Sequence, residues 1–323
     1  MVAVSDVDAA AERLSGRVLP TPLLHSPRLD ERFGGKVLFK AECLQLTGSF
    51  KIRGALNAIL CLTEEERAGG VVAYSSGNHA QAVAYAAKLT GLPAVIVMPK
   101  DAPETKRRRT AEYGAEVVLY DRETESREEM GAEIAAERRA ALIPPYDHPA
   151  TIAGQGTIGL EAAAQARAMG LALDQAVICC SGGGLASGIA LALEREAPGC
   201  AILTAEPEGF DDTRRSLEAG ERRENMPGAR SICDALLIRT PGELTFPILK
   251  ARGARGVTVS DAEALAAMRL GLEELRVVLE PGGAAAFAAL LNGQVETPGR
   301  TTLVTLSGGN VDAERLESAL GAA

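Results

Sequence analysis

Short apolar runs alternate with helix-length segments between residues 70 and 146. Runs at 71–74, 94–98 and 116–120 read as strands, and 79–89, 104–113 and 127–138 as helices. Strands separated by one helix each pair in parallel, with the crossover helices packed on the faces of the sheet. The alternation returns later, with a helix at 158–169, a strand at 176–180, a helix at 185–194 and a strand at 201–205. A strand at 257–259, a helix at 261–276, an alanine-rich segment at 284–291 and a last strand at 302–306 follow. Earlier in the chain, 5–15 reads as a helix capped by Ser5 or Asp6, and 36–39 as a strand. Pro20 and Pro22 hold 19–23 extended or turned. The predicted fold is α/β, with two open, twisted parallel-sheet domains and a site in the cleft between them. The small domain, 70–146, is inserted into a large discontinuous one made of 1–69 and 147–323.

The 323 residues suffice for two such domains, and a formal net charge of −9 argues against nucleic acid as the main partner. No basic flank or long apolar run marks a leader at the start, and no stretch of about 18 apolar residues offers a membrane span. The six cysteines (43, 61, 179, 180, 200 and 233) show no metal-ligand spacing and sit mostly in apolar runs. Buried free thiols in a reducing cytosol are expected.

Four stretches carry chemistry. In the first, Gly48-Ser49-Phe50-Lys51 opens a helix expected over 50–59, with Thr47 or Ser49 as its cap. A cation in a first helical turn is disfavoured by the exposed N–H groups, so Lys51 is expected to hold more free amine at neutral pH, as Schiff-base chemistry needs. The alternative is a solvated helix-start lysine. In the second, Ser75-Ser76-Gly77-Asn78-His79 joins a strand to a helix, where ligands of open α/β sheets bind. It suits a substrate carboxylate, or is a simple capping turn; His79 reads as structural. In the third, Ser181-Gly182-Gly183-Gly184-Leu185 also joins strand to helix, and is either a tight turn or a phosphate cradle. It matches neither dinucleotide nor nucleoside-triphosphate loops. The fourth is Ser307-Gly308-Gly309-Asn310, after the last strand.

Together with Ala153-Gly154-Gln155-Gly156-Thr157, these motifs make the sequence resemble the fold-type II (tryptophan synthase β-like) pyridoxal-phosphate enzymes over nearly its whole length. Within them it is similar to the threonine dehydratase, serine racemase and 3-hydroxyaspartate dehydratase group. The resemblance implies that Lys51 holds pyridoxal 5'-phosphate, Phe50 packs near its ring and Asn78 bonds its 3-hydroxyl. It implies that Ser181, Gly182, Gly183, Gly184 and Leu185 cradle the phosphate, that Ser307 takes the ring nitrogen, and that Glu280 lies near the ring. Ser76 would be the second acid/base, with Ser75, Ser76 and Asn78 binding substrate. Glu206, the Phe210 carbonyl and Asp212 resemble a divalent-cation site suited to Mg²⁺, Ca²⁺ or Mn²⁺.

Arg127, in Glu125-Ser126-Arg127, resembles an arginine facing the substrate and suits a second carboxylate. Arg239 is a weaker candidate for an anion contact. Ala235 departs from the glycine usual in the family. The resemblance implies a cytoplasmic homodimer acting on a small amino acid. Its expected activity is a magnesium-type, amino-acid-metabolism lyase: a dehydratase (ammonia-lyase) removing water from 3-hydroxyaspartate. The alternative is a serine/threonine dehydratase, with or without serine racemase activity. With the sequence ending at Ala323, no regulatory domain and no isoleucine feedback are expected.

Overall fold

The computed structural model describes residues 2–102 and 104–321. Among these described residues ten strands form two sheets: β1 (Leu23–His25), β2 (Lys36–Lys40), β3 (Val71–Tyr74), β4 (Ala94–Pro99), β5 (Glu116–Tyr120), β6 (Ala141–Leu142), β7 (Gln175–Cys179), β8 (Ala201–Pro207), β9 (Arg255–Val259) and β10 (Thr301–Thr305). The larger sheet has the order β1-β2-β10-β7-β8-β9, and the smaller β5-β4-β3-β6. All pairings are parallel except β1 with β2. The α/β class and parallel sheets expected from the alternation are therefore present. Among the described residues no helix is long and apolar enough to cross a membrane.

Alternation along the central strands of the larger sheet feeds two cores. Leu38, Leu303 and Ala176, which lie side by side on β2, β10 and β7, pack on one face with Ile158 and Ile189. Their neighbours Phe39, Val304 and Val177 pack on the other with the helix Pro281–Leu291, where Phe39 and Phe287 meet edge to face at 4.8 Å. The smaller sheet has its own core, which also takes Leu14 and the Ile52, Leu56 and Ile59 side chains of the helix Lys51–Leu60. That helix belongs in sequence to the segment before residue 70, yet its apolar face is spent on the smaller sheet.

The structure departs from the sequence reading at several places. The helix expected at 158–169 runs from Pro149 to Ala168. Its glycines permit close packing rather than breaking it. A Cβ on Gly154 would lie 2.6 Å from the Arg53 carbonyl oxygen, and one on Gly188 of the facing helix Gly184–Glu196 would lie 2.4 Å from that of Ile152. The first helix, Val4–Leu14, starts after Ala3, whose N–H donates to Asp6 Oδ2 at 2.8 Å; neither Ser5 nor Asp6 is its cap residue. The helix expected to run to Arg276 stops at Leu270 and ends in a wide π-type turn, Gly271–Leu275. Cys61 is exposed and Cys200 half-buried, whereas the other four thiols are buried; all six are free.

The Gly188 packing makes a direct prediction. Gly188→Ala should destabilise the protein by about 1–3 kcal/mol through overpacking against Ile152 and Gly156. Urea denaturation monitored by far-ultraviolet circular dichroism measures it.

Candidate active site

The carboxyl ends of β3, β7 and β10 converge on a cavity of about 350 Å³. Lys51 opens its helix directly after Phe50, whose N–H donates to the Ser307 carbonyl at 3.1 Å. Thr47 and Ser49 do not cap this helix; both hydroxyls are buried without a partner. The start is instead tied down by the Gln155 amide oxygen, which accepts from Gly54 N–H at 3.2 Å. Lys51 Nζ donates to the Pro145 carbonyl at 2.8 Å and lies 5.1 Å from the Phe50 ring centroid. Burial pulls its pKa down to about 8, against the pull of Glu280. Desolvation of the ammonium is the largest cause of this free amine. At pH 7 about a tenth of such an amine is unprotonated, against less than about a thousandth at the ordinary value.

Ser75, Ser76, Gly77 and Asn78 line the cavity at the start of the helix Asn78–Thr90. Ser75 Oγ accepts from Gly77 N–H at 3.2 Å, which folds the turn back on itself. The Asn78 amide is held at both ends. Its Nδ2 donates to Glu280 Oε1 at 2.5 Å, and its Oδ1 accepts from Asn310 Nδ2 at 2.8 Å. Burial raises Glu280 to about 7, with Asp234 adding to the rise and the Asn78 bond opposing it. His79 is buried, with Nε2 2.8 Å from the Ile143 carbonyl. Burial and then the nearby Lys51 push its pKa down to about 3, so it stays neutral and holds the small sheet's edge.

The glycine loop follows β7 and opens the helix Gly184–Glu196. Gly183 has φ +86°, and a Cβ there would meet Thr245 Oγ1 at 2.8 Å. A Cβ on Gly182 would enter the Tyr146 ring at 2.2 Å. Thr245 Oγ1 fastens the loop by donating to the Gly182 carbonyl at 2.6 Å. Only glycines fit this cradle, and the first N–H groups of a helix have no partner within it. A phosphate group suits that wall, as the half-buried amine of Lys51 suits an aldehyde. Ser307 is buried on the same cavity, its N–H donating to the Gly283 carbonyl at 3.2 Å. Phe50, Gly182, Gly183, Gly184, Leu185, Ser181 and Glu280 also line it, so the structure brings the cofactor candidates together.

The cation candidates lie apart from this cavity. Glu206 caps the helix Asp212–Ala219, its Oε1 and Oε2 accepting from Thr213 and Arg214 N–H at 2.9 and 2.8 Å. Asp212 Oδ1 accepts from Asn225 Nδ2 at 2.5 Å, while its Oδ2 is buried without a partner. Burial raises both carboxyls, Asp212 to about 7 and Glu206 well above its usual range, with Asp212 adding to the shift of Glu206. Phe210 N–H closes the intervening turn on the Pro207 carbonyl at 3.0 Å. Among the described residues, no group of three or more His, Cys, Asp or Glu side chains converges on one point, so a cation here would depend on carbonyl and water ligands as well.

Arg127 lines the active-site cavity, stacked 5.7 Å over the Tyr74 ring, with Nε donating to Glu128 Oε1 at 2.8 Å. Arg239 does not line it; this arginine lies on the surface, paired with Glu224. Ala235 is on the cavity wall, and a Cβ on Gly282 would come within 3.2 Å of its methyl. The sequence reading missed Tyr146, Lys106 and Asp234. Tyr146 sits in Pro144-Pro145-Tyr146-Asp147-His148, a stretch whose rigidity was its one local signal. Asp147 anchors it by accepting from Glu243 and Leu244 N–H, both at 2.8 Å.

Comparison with known proteins places this geometry. The family described as pyridoxal-phosphate dependent enzyme matches residues 14–308. The L-threo-3-hydroxyaspartate ammonia-lyase of Saccharomyces cerevisiae is 44% identical over 96% of this chain and 94% of its own length. That of a Pseudomonas species is also 44% identical, over 98% and 97%. The solved structure of maize serine racemase, 38% identical, superposes with a TM-score of 0.92 over 99% of this chain and 97% of that one. A half-buried lysine amine beside a glycine cradle, in a fold and sequence shared this widely, makes the chain a member of the fold-type II pyridoxal-phosphate-dependent enzymes.

Proposed function

We propose that this enzyme is an ammonia-lyase that eliminates water from 3-hydroxyaspartate, releasing an imine that hydrolyses to keto acid and ammonia. The observation that carries the reading is that Arg127 lies on the wall of the cavity that holds Lys51, where it would meet a second substrate carboxylate. The names of the relatives at 44% identity support it. Pyridoxal phosphate, when bound, supplies an aldehyde for amines and an electron sink for charge at the substrate α-carbon. Gly182, Gly183, Gly184, Leu185 and Ser181 would hold its phosphate, Ser307 its ring nitrogen and Asn78 its 3-hydroxyl. Phe50 and Glu280 would flank the ring. Lys51 would bind its aldehyde and move the α-proton, with Ser76 as the second acid/base; Ser75, Ser76 and Asn78 would hold the α-carboxylate.

The second reading is a serine/threonine dehydratase with serine racemase activity. The Arg127–Glu128 pair favours it, because an arginine so engaged is less available to substrate. We further assign a divalent cation (Mg²⁺, Ca²⁺ or Mn²⁺) to Glu206, the Phe210 carbonyl and Asp212, since the unpartnered Asp212 Oδ2 wants a positive partner. A homodimer, a cytoplasmic location and the division into 1–69 with 147–323 and 70–146 complete the proposal. Four buried free thiols suit a reducing compartment.

Three outcomes are expected. In cofactor-free protein, the rate of Lys51 acylation should rise with pH through a midpoint near 8, about two units below an exposed lysine. Glu280→Gln should lower that midpoint, because the carboxylate favours the ammonium form. Peptide mapping of the acylated protein reads both.

A chelator should lower Tm and rate in the wild type but not in Glu206→Ala. Occupancy at a hundredfold excess over Kd stabilises by about 2.7 kcal/mol. Unchanged melting after chelation removes the cation from the account.

Arg127→Ala should cut kcat/KM for 3-hydroxyaspartate by roughly thirtyfold or more, since losing one partner of a desolvated pair costs about 2–5 kcal/mol. Serine turnover should change much less, and Lys at 127 should rescue only in part, lacking the planar fork. Equal losses on both substrates would assign Arg127 to the fold. No loss on either favours the serine/threonine dehydratase.

A further inference from the structure

Lys106 and Asp234 meet on the wall of the active-site cavity, and they come from different parts of the fold. Lys106 lies on the helix Glu104–Glu112, next to the smaller sheet. Asp234 begins the short turn Asp234–Leu236, which packs with the core of the larger one. Nζ donates to Oδ2 at 2.8 Å across 128 positions of sequence. The two arginines of the wall pair over shorter spans of the chain: Arg122 with Asp101, 21 positions away, and Arg127 with its neighbour Glu128.

The two members of the bridge are unequally placed. The Lys106 side chain is 14% exposed and that of Asp234 57%. Asp234 can therefore return to water at little cost, whereas a largely buried ammonium needs another anion in its place. Burial works against the charged form of Lys106, but Asp234, and then Glu280 and Asp312, hold the group cationic. A compact ammonium with three rotatable donors can pass from one carboxylate to another without rebuilding the wall.

We propose that Lys106 is a specificity-determining residue for the distal carboxylate of a dicarboxylic amino acid, and that Asp234 is a resident carboxylate which this substrate group displaces. The inference rests on the reading of the substrate given above. It deepens that reading by adding a second cation to Arg127 and a built-in competitor. A monocarboxylic amino acid brings nothing to displace Asp234, so the bridge would discriminate by charge as well as by shape.

The test uses holoenzyme carrying Lys106→Gln, Lys106→Arg or Asp234→Asn. It measures kcat/KM for 3-hydroxyaspartate and for serine, and succinate binding by calorimetry. Lys106→Gln should lower the 3-hydroxyaspartate-to-serine ratio by about tenfold or more, and Lys106→Arg should recover most of it. Asp234→Asn should tighten succinate by about threefold or more, because the competitor is gone. A ratio unchanged in Lys106→Gln overturns the proposal. So do equal losses on both substrates, or succinate binding that Asp234→Asn leaves the same or weaker. Should Lys106→Gln fail to fold, the Asp234→Asn succinate result decides. If the wild type handles serine but not 3-hydroxyaspartate, the substrate reading falls by itself. Lys106 then stands or falls on whether Lys106→Gln weakens succinate.

Discussion

Arg53 is the charge around which the junction of the two sheets closes. It is fully buried two residues after Lys51, with Nε and Nη2 on Glu42 at 2.8 and 2.9 Å and Nη1 and Nη2 on Glu161 at 2.6 and 2.9 Å. Lys40, also fully buried, adds bonds to Glu161, Gln165 and the Thr21 carbonyl. Two cations face two carboxylates, so the cluster is neutral. Such a cluster is weak support for net stability, but loss of one member leaves an unpaired charge and costs about 3–5 kcal/mol. Its structural effect is to fix the first turn of the helix Lys51–Leu60 against β2 and the helix Pro149–Ala168. That helix has no side-chain cap, so these bonds and Gln155 define where Lys51 begins.

From that fixed point the site follows. The helix faces the smaller sheet's core with its apolar side and presents Lys51 to the cavity at its start. Loops from both sheets meet there: the Ser75–Asn78 turn after β3, the glycine loop after β7 and Ser307 after β10. Asn78 ties the first of these to the segment after β10 through Asn310, and to the start of the helix Pro281–Leu291 through Glu280. A lysine near 8 and a glutamate near 7 in one cavity are two groups whose proton content changes close to neutrality. Proton transfer at a substrate carbon needs groups of that kind.

The parallel-sheet architecture was legible because each strand was short, apolar and bounded by turn residues. The loops that gather at the site were legible for the same reason, since they interrupt strand–helix junctions with glycine and serine. Four features were hidden. The helix Pro149–Ala168 begins nine residues before the expected 158, and the packing its glycines permit depends on the helix that faces them. Thr47 and Ser49 do not cap their helix, because the chain turns at Thr47 with φ +65° and buries both hydroxyls. Tyr146 is what requires glycine at 182, a contact no local pattern announces. The Lys106–Asp234 bridge joins residues that only the tertiary fold brings together.

Lys51 is the residue we propose as the carrier of the cofactor. Borohydride reduction of the holoenzyme, followed by digestion and mass spectrometry, tests this assignment most directly. One pyridoxyl-phosphate adduct per chain is expected, on the peptide containing Lys51. A stoichiometric adduct on another lysine, or none on Lys51 in protein that carries the cofactor, would contradict it.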